Sequence, residues 1–187
     1  MPAVEVHYYD RPGLENTDDV LATAARRAEQ LGITQVVVAS SHGSTGVKAR
    51  HAFPIATKVI AVTISAAFDR EGWVMSEAER RPLQEAGVHV LTAMHSLGDD
   101  VGEAMSGEGW PANRVVRETL YRFGQGMKVA VEVAIMAAES GLLDMASDAI
   151  AIAGSDNGAD TAIVLKPAYA RDFNRLKIRE ILAMPRS

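Results

Sequence analysis

The sequence predicts an α/β fold: a three-layer sandwich with a mostly parallel, doubly wound sheet and an antiparallel edge hairpin. Three observations predict it. Short β-forming apolar runs alternate with amphipathic helical stretches, the rhythm of strands joined by crossover helices. The runs are apolar at consecutive positions, as strands covered on both faces are. Finally, only Gly154–Asp160 separates two late runs, whereas a parallel crossover needs a dozen or more residues. That pair should be a hairpin.

Val4–Tyr9 alternates and reads as the first strand, followed by a turn at Pro12-Gly13. Thr17 is a suitable N-cap, with Asp18 and Asp19 in the first turn where the helix dipole favours acids. Val20, Leu21, Ala24, Ala25, Ala28 and Leu31 form one face of that helix, and Gly32 stops it. Gln35–Ala39 is a buried strand, Ser44–Phe53 a short helix stopped by Pro54, and Lys58–Thr63 the next strand. Ser76 and Glu79 have capping-box spacing, and Pro82 implies a kink or a late helix start. Val88–Ala93 is another strand. A helical stretch runs from Pro111 to Phe123, and Gly124 and Gly126 break it before the apolar helix Met127–Ser140. Ala149–Ala153 and Thr161–Leu165 are the hairpin strands, while Leu176–Leu182 fits either helix or extended chain. No linker or repeat divides the sequence, so residues 1–187 are expected to form one domain.

Composition narrows the function. There is no cysteine, which removes disulfides, thiolate metal sites and cysteinyl cofactors. The formal charge is −5 with scattered Lys and Arg, arguing against nucleic acid or an anionic membrane as partner. No apolar segment is long enough to span a bilayer and no signal peptide is visible, so a cytoplasmic location is expected.

Two loops carry the functional signal. Ser40-Ser41-His42-Gly43-Ser44-Thr45-Gly46 follows a buried strand and opens a helix. Its hydroxyls, its glycines and the free N–H groups of the helix start make a phosphate cradle, and Lys48 could add charge. Gly154–Thr161, with Gly158, Asp160 and Thr161, also follows a buried strand and so lies at a carboxyl end of the sheet, where open α/β sheets bind ligands. Ordinary turn and hairpin chemistry would use the same residue types. His42 and His95 both follow strands and could meet at this rim as acid–base or hydrogen-bonding groups. No metal site is expected, since no further ligands stand at suitable spacing. Lys128 and Glu132, four apart, form an ion pair beside a buried helix or else supply a catalytic carboxylate. Asp99 and Asp100 read as a solvated loop. Trp73, Trp110, Tyr121 and Phe123 could give a flat ring an apolar wall, or belong to core or interface.

The segments Glu15-Asn16-Thr17, Val38-Ala39-Ser40-Ser41, Phe123–Val129, Gly158–Ala162, Lys166-Pro167-Ala168 and Met184-Pro185-Arg186 together resemble the stand-alone pyruvate kinase C-terminal-domain-like proteins. The resemblance implies that fold and a flavin mononucleotide (FMN) ligand. Ser40, Ser41, Gly43, Ser44, Thr45 and Gly46 would hold the phosphate and Thr63 the floor. Gly154, Gly158, Asp160 and Thr161 would close the far side. Two departures reduce the polar partners: Ser65-Ala66-Ala67 stands where the family is expected to carry a His, and Asn157 where a basic residue is frequent. The expected function is binding of a phosphorylated small molecule, FMN first, with possible redox chemistry on an unknown substrate. The alternative is a non-enzymatic sensor of a sugar phosphate, like the allosteric domain of pyruvate kinase. The apolar helix and the resemblance both lean towards a homo-oligomer; catalytic residues stay unassigned.

Overall fold

The two runs that cannot tolerate water on either side set the middle of the sheet. In the computed structural model, which describes residues 4–186, β2 (Gln35–Ala39) and β5 (Ala149–Ala153) are parallel neighbours, with Val36, Val37 and Val38 opposite Ile150, Ala151 and Ile152. Those six side chains are fully buried. On one side β2 pairs with β3 (Lys58–Thr63), and β3 with β4 (His89–Thr92), all parallel. On the other, β5 pairs antiparallel with β6 (Thr161–Lys166), as the short connection requires. The seven-stranded order is β1-β7-β6-β5-β2-β3-β4, with β1 (His7–Tyr9) parallel to β7 (Lys177–Pro185).

Alternation along the strands divides the core into two layers. Val36 and Val38 pack with Val20, Leu21, Ala49 and Leu83, which come from α1 (Thr17–Leu31), α2 (Ser44–Ala52) and α3 (Glu77–Glu85). Val37 points the other way, into Met127, Val131 and Ile135 of α6 (Gln125–Glu139). Between β4 and α6 lie α4 (Val101–Ser106) and α5 (Ala112–Leu120), the latter packing on the α6 layer through Val116 and Leu120. The fold is α/β, with helices on both faces of a mixed sheet. The apolarity of α6 is spent inside the chain, where Ala130–Ala138 are all buried, so it supplies no reason for an oligomer.

Several expectations shift at the element ends. Thr17 is the first residue of α1, behind Asn16; its hydroxyl donates to Leu14 O and accepts the N–H of Ala159, tying helix to hairpin. α3 starts at Glu77 behind the full Ser76–Glu79 capping box, so Pro82 lies inside it. Pro111 is the N-cap of α5, and α6 begins two residues earlier than its apolar pattern. The ambiguous tail is strand β7. It pairs antiparallel with β6 across two register irregularities, which break the alternation that would have marked it as a strand. β7 and β1 therefore extend the sheet beyond the hairpin. Buried Arg50 closes α2 by donating to the carbonyls of Thr57, Phe53 and Pro54. Among the described residues, no helix is long and apolar enough to cross a membrane.

Arg27 of α1 grips Glu180 of β7 through two bonds of 2.7 and 2.6 Å. This fork holds the Glu180 carboxyl below its ordinary 4.5. A depressed carboxyl contributes stability that is complete above the unfolded value and lost as pH falls through the folded one. Stability should therefore drop on acidification below about 4.5, and Arg27→Met should remove part of that drop. Urea midpoints at pH 7 and pH 3.5 measure both.

Candidate functional site

The chain steps outward from β2 to β3 to β4 and then crosses back through α6 to β5. Strand order thus reverses between β2 and β5, and their following loops part at the carboxyl ends, leaving a crevice. A cleft of about 610 Å³ opens there, bounded by the loop after β2, the ends of β2 and β3, the face of α6 and the β5–β6 loop. That volume is within the range of pockets that hold drug-sized molecules.

Most of the residues singled out by sequence meet at this cleft: Ser40, Ser41, His42, Ser44, Thr45, Thr63, His95, Gly154 and Gly158 all line it. Gly43, Gly46, Asp160 and Thr161 are not among the lining residues, and each has a packing role instead. Gly43 is buried at φ 87°, where a Cβ would come within 3.1 Å of Glu79 O and Leu83 Cδ1. Gly46 lets α2 lie against the sheet and α3; its Cβ would sit 2.7 Å from Leu83 Cδ2 and 3.1 Å from the Ala61 Cβ. Asp160 is fully buried and accepts from the N–H groups of Gly13 and Ser155 and from the Thr161 hydroxyl. Its hydrogen bonds fold the hairpin loop.

The end of the cleft at the start of α2 is built from neutral donors. Gly43 caps α2 without a side-chain acceptor, and the upstream Ser40 Oγ accepts the Gly46 N–H at 3.0 Å. The first-turn N–H groups of Ser44 and Thr45 lie at the helix start, where no intrahelical partner exists. Ser41, Ser44 and Thr45, at this positive end of the helix dipole, line the cleft. Lys48 does not join them: it pairs with Asp18 at 2.8 Å over a separate shallow depression. On the floor, Arg80 Nη2 lies 3.1 Å from Thr92 Oγ1, which lies 2.7 Å from Thr63 Oγ1. Thr63 itself donates to Ile64 O at 3.0 Å.

Part of the lining is aromatic. Phe68 stacks between Trp73, at 5.6 Å and 13°, and His95, at 5.5 Å and 28°. Trp73 and Tyr121 line the cleft; Trp110 and Phe123 lie outside it, about half exposed or more. Two histidines face the cleft, each with Nδ1 held by a carboxylate: His42 by Glu79 at 3.0 Å and His95 by Asp99 at 2.8 Å. The Glu79 carboxyl is held below its ordinary value, chiefly by the Ser76 N–H and hydroxyl and further by His42. Asp99 and Asp100, expected as solvated loop, are both engaged; Asp100 caps α4 by accepting the Glu103 N–H. No pattern in the sequence points to Phe68 or to the role of Asp99, because their relation to His95 depends on loop geometry rather than on any period.

Lys128 and Glu132 form the buried pair, at 2.5 Å, on the cleft face of α6. Glu132 Oε1 also accepts the Leu97 N–H, and its carbonyl accepts from Ser96. The pair therefore pins the loop that carries His95.

No family model matches this chain. Solved structures similar to it include pyruvate kinases. One pyruvate kinase from Cryptosporidium parvum matches at a TM-score of 0.43 and 12% identity, over 81% of this chain and 23% of its own. A second structure of the Cryptosporidium parvum enzyme gives 0.41 and 12%, over 81% and 22%. The enzyme in complex with ADP gives 0.37 and 14%, over 89% and 23%. The chain thus spans less than a quarter of the length of these enzymes.

Gly126 decides how closely α6 approaches the hairpin loop. A Cβ there would overlap Thr161 Oγ1 and sit 2.7 Å from Asp160 Oδ1. Gly126→Ala should cost about 1–3 kcal/mol as an overpacked core position does. It should appear as a lower urea midpoint at unchanged slope.

Proposed function

We propose that this chain binds a small molecule made of a phosphate and a flat ring, with FMN as the ligand. The observation that supports it is the presence, in one cleft, of an aromatic stack and a helix start whose N-cap, Gly43, brings no side-chain acceptor. The donor set fits the group. Ser41, Ser44, Thr45 and the first-turn amides of α2 would hold the phosphate through several charge-assisted bonds, each returning about 1.5–3 kcal/mol. Trp73 and Tyr121 offer faces for a ring. When bound, the flavin would supply redox chemistry that belongs to the cofactor. The chain's own part is to fix the phosphate, cover the ring from water and orient His42 and His95 beside it. Among the described residues that line the cleft the cation is Lys128, which is paired with Glu132, so the phosphate would rely on the helix dipole and neutral donors. That favours a ligand whose ring contributes much of the affinity. A sugar phosphate has no flat π-system to stack on the aromatic wall, so the sensor reading comes second.

Titration with FMN should quench flavin fluorescence and raise the melting temperature, as any ligand confined to the native state does. Riboflavin, without the phosphate, should bind at least tenfold more weakly. Ser44→Asp places an acid at the first helical position, where it favours the helix, yet sets a like charge against the phosphate. It should leave the unliganded melting temperature intact or raised and weaken FMN by about tenfold or more, about 1.4 kcal/mol. Equal binding of riboflavin would remove the phosphate cradle. Stabilisation by sugar phosphates alone would favour the sensor.

A further inference from the structure

We propose that His95 is the hydrogen-bond acceptor with which the cleft selects a ring bearing an N–H edge, held by Asp99 in the tautomer that leaves Nε2 unprotonated. The proposal rests on the flavin reading above for its ligand, but not for its tautomer.

The hydrogen-bond network assigns the tautomer. A backbone amide can only donate, and the Ser65 N–H lies 3.4 Å from Nε2. Nε2 is therefore the acceptor, and the neutral ring carries its proton on Nδ1, which lies 2.8 Å from Asp99 Oδ2. The bond made by one ring nitrogen sets the state of the other. The Ser65 contact, at 3.4 Å, is longer than the 2.7–3.2 Å of an ordinary N–H bond, so a better-placed donor would compete successfully for the Nε2 lone pair.

The ring is also held in place. Only 15% of its side-chain surface is exposed, and its face lies on Phe68. Its loop is pinned to α6 by Ser96 and Leu97 on Glu132, whose charge is balanced by Lys128. His42, by contrast, has 49% of its side chain exposed and is not anchored in this way.

A rigid acceptor discriminates by what it leaves unpaired. A ligand carbonyl facing Nε2 would set lone pair against lone pair, whereas an N–H would complete both groups. The oxidised flavin ring carries one such donor, the imide N3–H. The ligand class is thus a phosphate-bearing heterocycle with an imide edge.

Nitrogen NMR of the histidine-labelled chain reads the tautomer without ligand, with the His95 signals assigned by their loss in His95→Phe. The expected result is a protonated Nδ1 in the wild type, shifting towards protonated Nε2 in Asp99→Ala. A wild type protonated on Nε2 would overturn the proposal. Fluorescence titration with FMN and N3-methyl-FMN then tests selection. The wild type should prefer FMN by about tenfold or more. His95→Phe should bind both within about twofold, and His95→Gln, which keeps an acceptor oxygen, should recover part of the preference. Equal binding by the wild type, or a full preference retained by His95→Phe, would also overturn it. A wild type that binds neither flavin would sink the flavin reading instead, and the tautomer measurement separates that failure from failure of this proposal.

Discussion

The double-sided burial of β2 and β5 is the constraint on which the rest of the structure depends. Neither strand can leave a face to water, so helices must cover both sides of the sheet. The chain meets that demand by laying α1, α2 and α3 on one face and carrying α6 back across the other. Its return through α6 is what separates the loops after β2 and β5. The cleft is a by-product of a packing problem. Its lining changes with the loops, but its position is set by the core.

Close approach is the second theme. Gly126 brings α6 against the hairpin, Gly46 brings α2 against the sheet, and Gly158 brings the hairpin loop against Thr17 and Leu14. Thr17 then ties α1 to that loop by accepting the Ala159 N–H. These close fits act together with the hydrogen bonds of Asp160, Thr17 and Ser40 in positioning the two rims of the cleft.

The central strands were legible in the sequence because short, uninterrupted apolar runs rich in β-branched residues fit a strand covered on both faces. The hairpin was legible because the Gly154–Asp160 connection is too short for a crossover. β7 was not, since its bulged pairing with β6 interrupts the period on which a strand is recognised. The site was legible by position more than by role. Ser41, Ser44 and Gly154 line the cleft as expected, while Gly43, Gly46, Asp160 and Thr161 hold the loops up from behind. Small polar residues and glycines are what a phosphate cradle needs and also what tight loops need, so residue type alone does not separate the two uses. Lys48 illustrates the same limit: helical spacing carried it to the right helix and the wrong face, where Asp18 takes it.

The floor of the cleft carries a last consequence. The arrangement that satisfies all three groups has Arg80 donating to Thr92, Thr92 donating to Thr63 and Thr63 donating to Ile64 O. Hydroxyls that could swivel are thereby locked into one direction, each polarising the next. The cleft inherits a standing electric polarity whose source, a guanidinium on α3, is not among its lining residues. The potential inside the cleft can thus be retuned from behind the sheet edge without changing any residue that lines it.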